Sequence, residues 1–152
     1  MKEQYIIVNG NKFTKTNLKE KFNEYNKLYF NNKLGKCKLY FFSKNIHFFG
    51  KYVDTINKKG EIISKIYIGQ NTIWTEESLK EILVHEMIHM YIRTVENKKF
   101  DGLLGHGNSF RKYCKKLKKE FGLIINIHPK FDYVNKSKPK LWEKIILWII
   151  DR

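Results

Sequence analysis

"LVHEMIHMYI", residues 83–92, sets two histidines four positions apart, with a glutamate directly after the first, inside an otherwise almost wholly apolar run. Burying three titratable side chains without partners costs on the order of several kcal/mol, and a metal ion is the obvious group to satisfy them. On a helix, positions i and i+4 project from the same face one turn apart, so His85 and His89 can hold one ion between their imidazoles. Glu86 then lies about 100° round from His85, within reach of a water at that ion without being a ligand itself.

The surrounding residues make this segment a central helix. Thr75 is placed as its N-cap, Glu76 and Glu77 fall in the first turn where the helix dipole favours them, and Arg93 falls in the last. Leu79, Ile82, Leu83, Val84, Met87, Ile88, Tyr91 and Ile92 lie nearly all round it, as in a buried helix. Upstream, "QYIIVNGNKF" reads as two short strands around an Asn-Gly turn. "TNLKEKFNEYNKLYF" follows as an amphipathic helix, with Asn17 and Glu20 spaced as a capping box. "KCKLYFFS", "HFFGKYV" and "EIISKIYIG" are rich in aromatic and β-branched residues and predict an antiparallel meander.

Downstream, "SFRKYCKKLKKEFG" carries Phe110, Tyr113, Cys114, Leu117 and Phe121 on one face and a C-terminal stop at Gly122. "LIINIHPKFDYV" looks extended, and "KPKLWEKIILWII" looks like a short terminal helix. The expected fold class is α+β and zincin-like: a small antiparallel sheet packed with the helix of His85 and His89 and with a second helix next to a further metal ligand. A length of 152 residues suits one domain.

A catalytic zinc site takes three protein ligands and keeps a fourth position open. The metzincin spacing requires a histidine where this chain has Val95. A thermolysin-like carboxylate would have to come from a second helix, where Glu120 is the plausible one. His106 is better placed: it stands between two glycines in "GHG", at the entrance of the next helix, where the backbone can approach closely.

"HEMIHMY" followed by "GHGNSF" resembles the SprT-like family of zinc metallopeptidases, which includes the Spartan-type DNA-dependent proteases. The resemblance runs from about residue 14 to 134, with "YFNNKLG", the aromatic strand, "FGKY" and "IYIG" also in the family's order. It implies a peptidase that binds one zinc per chain through His85, His89 and His106 and uses Glu86 as the base, in agreement with the geometric reading. The cysteine zinc ribbon of many members is missing; residues 135–152 form a basic and hydrophobic extension instead.

Thirty Lys and Arg against fifteen Asp and Glu leave a formal net charge of +15, which favours a polyanionic partner. The bland reading is compositional, because a chain this rich in Lys, Asn and Ile is what an AT-rich genome encodes. Lys112, Lys115, Lys116, Lys118 and Lys119 on the helix after "GHG" are candidate contacts to DNA, single-stranded DNA in particular. Two readings follow: a zinc metalloendopeptidase acting on protein or peptide, DNA-bound or DNA-crosslinked protein included, or a basic nucleic-acid-binding module with a structural zinc. His47 and His128 read as ordinary structural or surface residues, with His128 and Tyr133 as candidates for stabilising an oxyanion. Cys37 and Cys114 form no C-x-x-C pair, which suits a reducing, cytoplasmic setting, or the nucleoid or nucleus if DNA is the partner. The opening apolar run is too short for a signal peptide, and "IILWII" is too short to span a bilayer.

Overall fold

A computed structural model describes residues 3–42 and 49–131. The chain begins with a hairpin of β1 (Tyr5–Val8) and β2 (Asn11–Thr14). Its two-residue turn needs positive φ at both positions, and Asn9 (48°) and Gly10 (77°) supply it. Helix α1 (Lys15–Phe30) starts earlier than its apolar spacing suggests. Thr14 is the N-cap, and Asn17 is the partner at the third helical position rather than the cap of a box with Glu20. The expected pair was shifted by one turn because Thr14 ends β2 and its hydroxyl is already aligned with the first free N–H groups.

Three strands follow: β3 (Cys37–Phe42), β4 (Gly50–Ile56) and β5 (Ile62–Gly69). The antiparallel meander is corrected here, since the spatial order is β3-β5-β4. β4 and β5 form the expected antiparallel hairpin, but β3 pairs with β5 in parallel, from Cys37 opposite Ser64 to Phe42 opposite Gly69. The physical reason lies in β5, whose Ser64, Ile66 and Ile68 are all buried. The strand with the most buried face takes the centre, where both its backbone edges are also satisfied. A strand around "KIYIG" is therefore no open edge.

Helix α2 (Glu76–Thr94) lies against the inner face of this sheet, and α3 (Asn108–Phe121) crosses it from the other side. The expected α2 cap is present: Thr75 accepts from the Ser78 N–H, and Ser78 returns the bond to Thr75. Leu83, Val84, Met87 and Ile88 of α2 are fully buried, as are Leu18 of α1, Ile66 and Ile68 of β5, and Phe110 and Leu117 of α3. One α+β core thus surrounds α2, with the zincin-like arrangement the sequence suggested.

α3 ends at Gly122 in the left-handed conformation. Phe121, placed by spacing on its apolar face, is 47% exposed, although its ring edge still meets Tyr29 at 5.1 Å. Residues 123–131 cross back over α2 without pairing to a strand, anchored by buried Ile125 and by Phe131 against Phe49 and Trp74. His47, Tyr133 and the expected terminal helix lie outside the described residues. Among those described, no helix is long and apolar enough to cross a membrane.

Candidate metal centre

His85 and Glu86 are among the most buried polar residues of the chain, at 4% and 5% exposure. Their helix is enclosed by sheet and α3, so helical periodicity alone carries them inside. His89, one turn on, joins His85 with ring centroids 5.1 Å apart. His106 arrives from the loop ahead of α3, its ring 5.0 Å from each of the other two. One nitrogen from each imidazole falls within 4.8 Å of the others, a grouping able to hold a metal ion. Phe110 closes the floor, 4.7–4.8 Å from all three rings.

The hydrogen bonds fix one protonation state. His85 Nδ1 sits 3.0 Å from the carbonyl oxygen of Asn126. A carbonyl only accepts, so Nδ1 carries the proton and Nε2 presents its lone pair to the cluster. There it lies 3.1 Å from His106 Nε2. Two nitrogens bound tetrahedrally to one ion at zinc-like bond lengths stand roughly 3.3 Å apart, so the spacing fits a shared ion. Burial, then the neighbouring His106, pushes His85 down to about 3. Burial, then His128 and Arg111, pushes His106 down to about 4, and burial holds His89 well below the usual histidine range. All three are therefore neutral donors at pH 7. His106 Nδ1, on the far side of the ring from His85, is buried without a hydrogen-bond partner among the described residues. Three imidazoles without a thiolate suit a first-row transition ion.

The His106 loop is shaped by its glycines and by one carboxylate. Asp101 accepts the Ser109 N–H at 3.0 Å and the Phe110 N–H at 2.8 Å through its two side-chain oxygens. Its backbone carbonyl accepts from Gly107 at 2.7 Å. Asp101 thus caps α3 from outside it, where the N-cap Gly107 has no side chain to do so. A Cβ on Gly107 would lie 2.7–2.8 Å from Asp101 atoms, and one on Gly105 would meet the His89 ring at 3.1–3.2 Å. Gly105 also has φ +70°, so a side chain there meets both backbone strain and the His89 ring.

Glu86 faces β4. A Cβ on Gly50 would come 3.3 Å from Glu86 Oε1 and 2.7 Å from Ile82, so the strand runs this close only because residue 50 is glycine. A cavity of ≈240 Å³ opens beside Glu86 and His89, walled by Tyr52, Asp54, Lys99 and Phe100.

His85, His89 and His106 are thus brought together, with Glu86 adjoining. Glu120 is exposed in the last turn of α3 and stands outside the cluster. His128 is exposed but near, its ring perpendicular to His106 at 5.7 Å. Lys112, Lys115, Lys118 and Lys119 are exposed on α3, and Lys116 is half-buried with its ammonium 5.2 Å from the Tyr113 ring centre. Cys114 is half-buried against the core, and burial pushes its thiol up to about 11. Asp101, Phe110 and Asn126 were missed by sequence reasoning. Phe110 alone had a signal, since it follows His106 at i+4 in "GHGNSF" and shares its side of the turn.

The family model described as the SprT-like family matches residues 18–130. That span contains α1, the three-stranded sheet, α2, α3 and all three histidines. No curated protein matches the chain.

Proposed function

The chain belongs to the SprT-like family, and from that premise we propose that it is a zinc-dependent metalloendopeptidase whose substrates are proteins bound or crosslinked to DNA. The observation that carries the reading is a buried carboxylate, Glu86, next to His85 on α2 and lining one cavity with His89, at a cluster of three converging neutral imidazoles. A purely structural metal site has no use for that carboxylate, which counts against a nucleic-acid module with a dormant centre.

Zinc held by His85, His89 and His106 would supply Lewis acidity, polarising a peptide carbonyl and making water a usable nucleophile at neutral pH. Glu86 takes the proton of the attacking water at its carboxylate and returns it to the departing amine. Gly50 lets the start of β4 pass directly over Glu86. Among the described residues β4 pairs only with β5, so its other edge is available to an extended substrate by main-chain hydrogen bonds. That edge replaces the one around "KIYIG", which is occupied on both sides. The cavity next to Glu86 accepts a substrate side chain. His128, close to His106 and exposed, is the candidate among the described residues to steady the oxyanion.

The DNA part of the proposal rests on α3. Its buried residues Phe110, Tyr113 and Leu117 fix one side, which leaves Lys112, Lys115 and Lys119 facing solvent with Lys116 and Lys118 at the margins. On this reading the protein works inside the cell, at the nucleoid or in the nucleus.

The test is to incubate zinc-loaded protein with a DNA-binding protein, with and without single-stranded DNA, beside the Glu86→Gln variant. Cleavage stimulated by DNA and lost in the variant is expected. Zinc bound at one per chain with no cleavage under either condition would leave the structural-zinc reading in its place.

A further inference from the structure

Glu81 stands one helical turn before His85 on α2, half-buried and outside the histidine cluster. Its Oε1 accepts two hydrogen bonds from a single residue, Asn126: the backbone N–H at 3.1 Å and the side-chain amide at 2.7 Å. The carbonyl of that same residue accepts the His85 Nδ1–H at 3.0 Å. Two side chains at i and i+4 of one helix therefore grip the donor and the acceptor of one residue 41–45 positions away. Asn126 lies in the segment after α3 that no strand pairs. Buried Ile125 and the half-buried Leu123, Ile127 and Phe131 hold this segment against the core, but apolar contacts are not directional and do not by themselves set which way the Asn126 carbonyl points.

We propose that Glu81 is a positioning residue for the metal centre, clamping Asn126 so that its carbonyl holds His85 in the Nδ1–H tautomer with Nε2 as the donor. The proposal rests on the reading of His85 as a ligand. A neutral imidazole can carry its proton on either nitrogen, and the alternative tautomer would aim an N–H at the ion. Groups that orient a metal-bound histidine in this way are typically worth about 10- to 100-fold in metal affinity. Asp101 does the corresponding work for His106 through backbone N–H groups, whereas Glu81 acts through one carbonyl on one ring nitrogen.

The test compares Glu81→Ala, Glu81→Gln and the native chain by zinc competition against a chelator and by imidazole nitrogen NMR of the metal-free and zinc-loaded proteins. Glutamine keeps an oxygen able to accept both Asn126 bonds, so it should behave as native. Alanine should weaken zinc binding about 10- to 100-fold. It should also turn the single His85 tautomer into a mixture, without lowering the metal-free melting temperature. Native affinity and an unchanged His85 tautomer in Glu81→Ala overturn the proposal. So does a weakened affinity that glutamine fails to rescue and that follows a lowered melting temperature, since that is a merely structural role. If the native chain binds no zinc, the metal reading fails, while the tautomer in the metal-free Glu81→Ala variant still decides whether the clamp exists.

Discussion

His85 and His89 stand on a helix whose neighbours Leu83, Val84, Met87 and Ile88 are fully buried, whereas His106 stands on a loop, Gly102–Gly107, whose residues are all at least partly exposed. The helix holds its two histidines with the same packing that holds the domain. The loop holds its one histidine with three hydrogen bonds to Asp101 and with left-handed backbone at Gly102, Leu104 and Gly105. The two halves of the centre should therefore fail differently. Damage to α2 packing should take the fold with it, while damage to the loop should displace His106 and leave the fold standing.

The largest effect should come from the one α2 residue that packing does not need in its charged form. Glu86→Gln preserves shape and should keep both the metal and the melting temperature while losing about 10²- to 10⁴-fold in peptide hydrolysis, the usual worth of a general base. Undiminished cleavage by the metal-loaded variant would remove Glu86 from the chemistry. Metal removal comes next. An ion present at a hundred times its dissociation constant stabilises the folded state by about 2.7 kcal/mol, and chelation should remove that amount. Hydrogen exchange should then rise at residues 101–107 and stay slow in the middle of α2. Equal acceleration in both would erase the contrast between helix and loop.

A smaller effect is expected at Gly105. Alanine there must adopt a left-handed conformation, at roughly 1–2 kcal/mol, with its methyl against the His89 ring. Metal affinity should drop by about tenfold, a factor equivalent to about 1.4 kcal/mol, with α2 intact by circular dichroism. Native affinity in this variant would mean that the loop is softer than its close approach to His89 implies. Asp101→Ala should have the mildest consequence, about 0.5–2 kcal/mol as for other lost helix caps, seen as a lower melting temperature and weaker metal binding. Asp101→Asn keeps one acceptor oxygen and should fall between. If both variants match the native chain in metal affinity, the α3 N-terminus is held by something other than Asp101.

Local chemistry made much of this legible before the structure. The Asn-Gly turn, the Thr75 cap, the Gly122 stop and the all-round burial of α2 depend on residues within one or two turns of each other. The same is true of His85, Glu86 and His89, whose spacing alone puts two imidazoles on one face with a carboxylate beside them. His106 was readable for a related reason, because glycines on both sides mark a backbone that must approach something closely.

What the sequence could not decide depends on how distant segments close on one another. Strand periodicity says which face of β3, β4 and β5 is buried but not which strand lies in the middle. Only the assembled sheet shows β5 flanked by a parallel and an antiparallel neighbour. Nothing in the local sequence marks Glu81, whose partner Asn126 lies 45 positions away and meets it only in the folded chain. Gly50 looked like a strand residue until Glu86 came to lie beneath it. Residue types at fixed local spacing thus determined the elements that carry the histidines, because helical geometry and capping act over a few residues. Tertiary packing decided the strand order, which strands stand at the sheet's edges and which groups meet the histidines, because each of these arises where segments far apart in the chain compete for the same buried contacts.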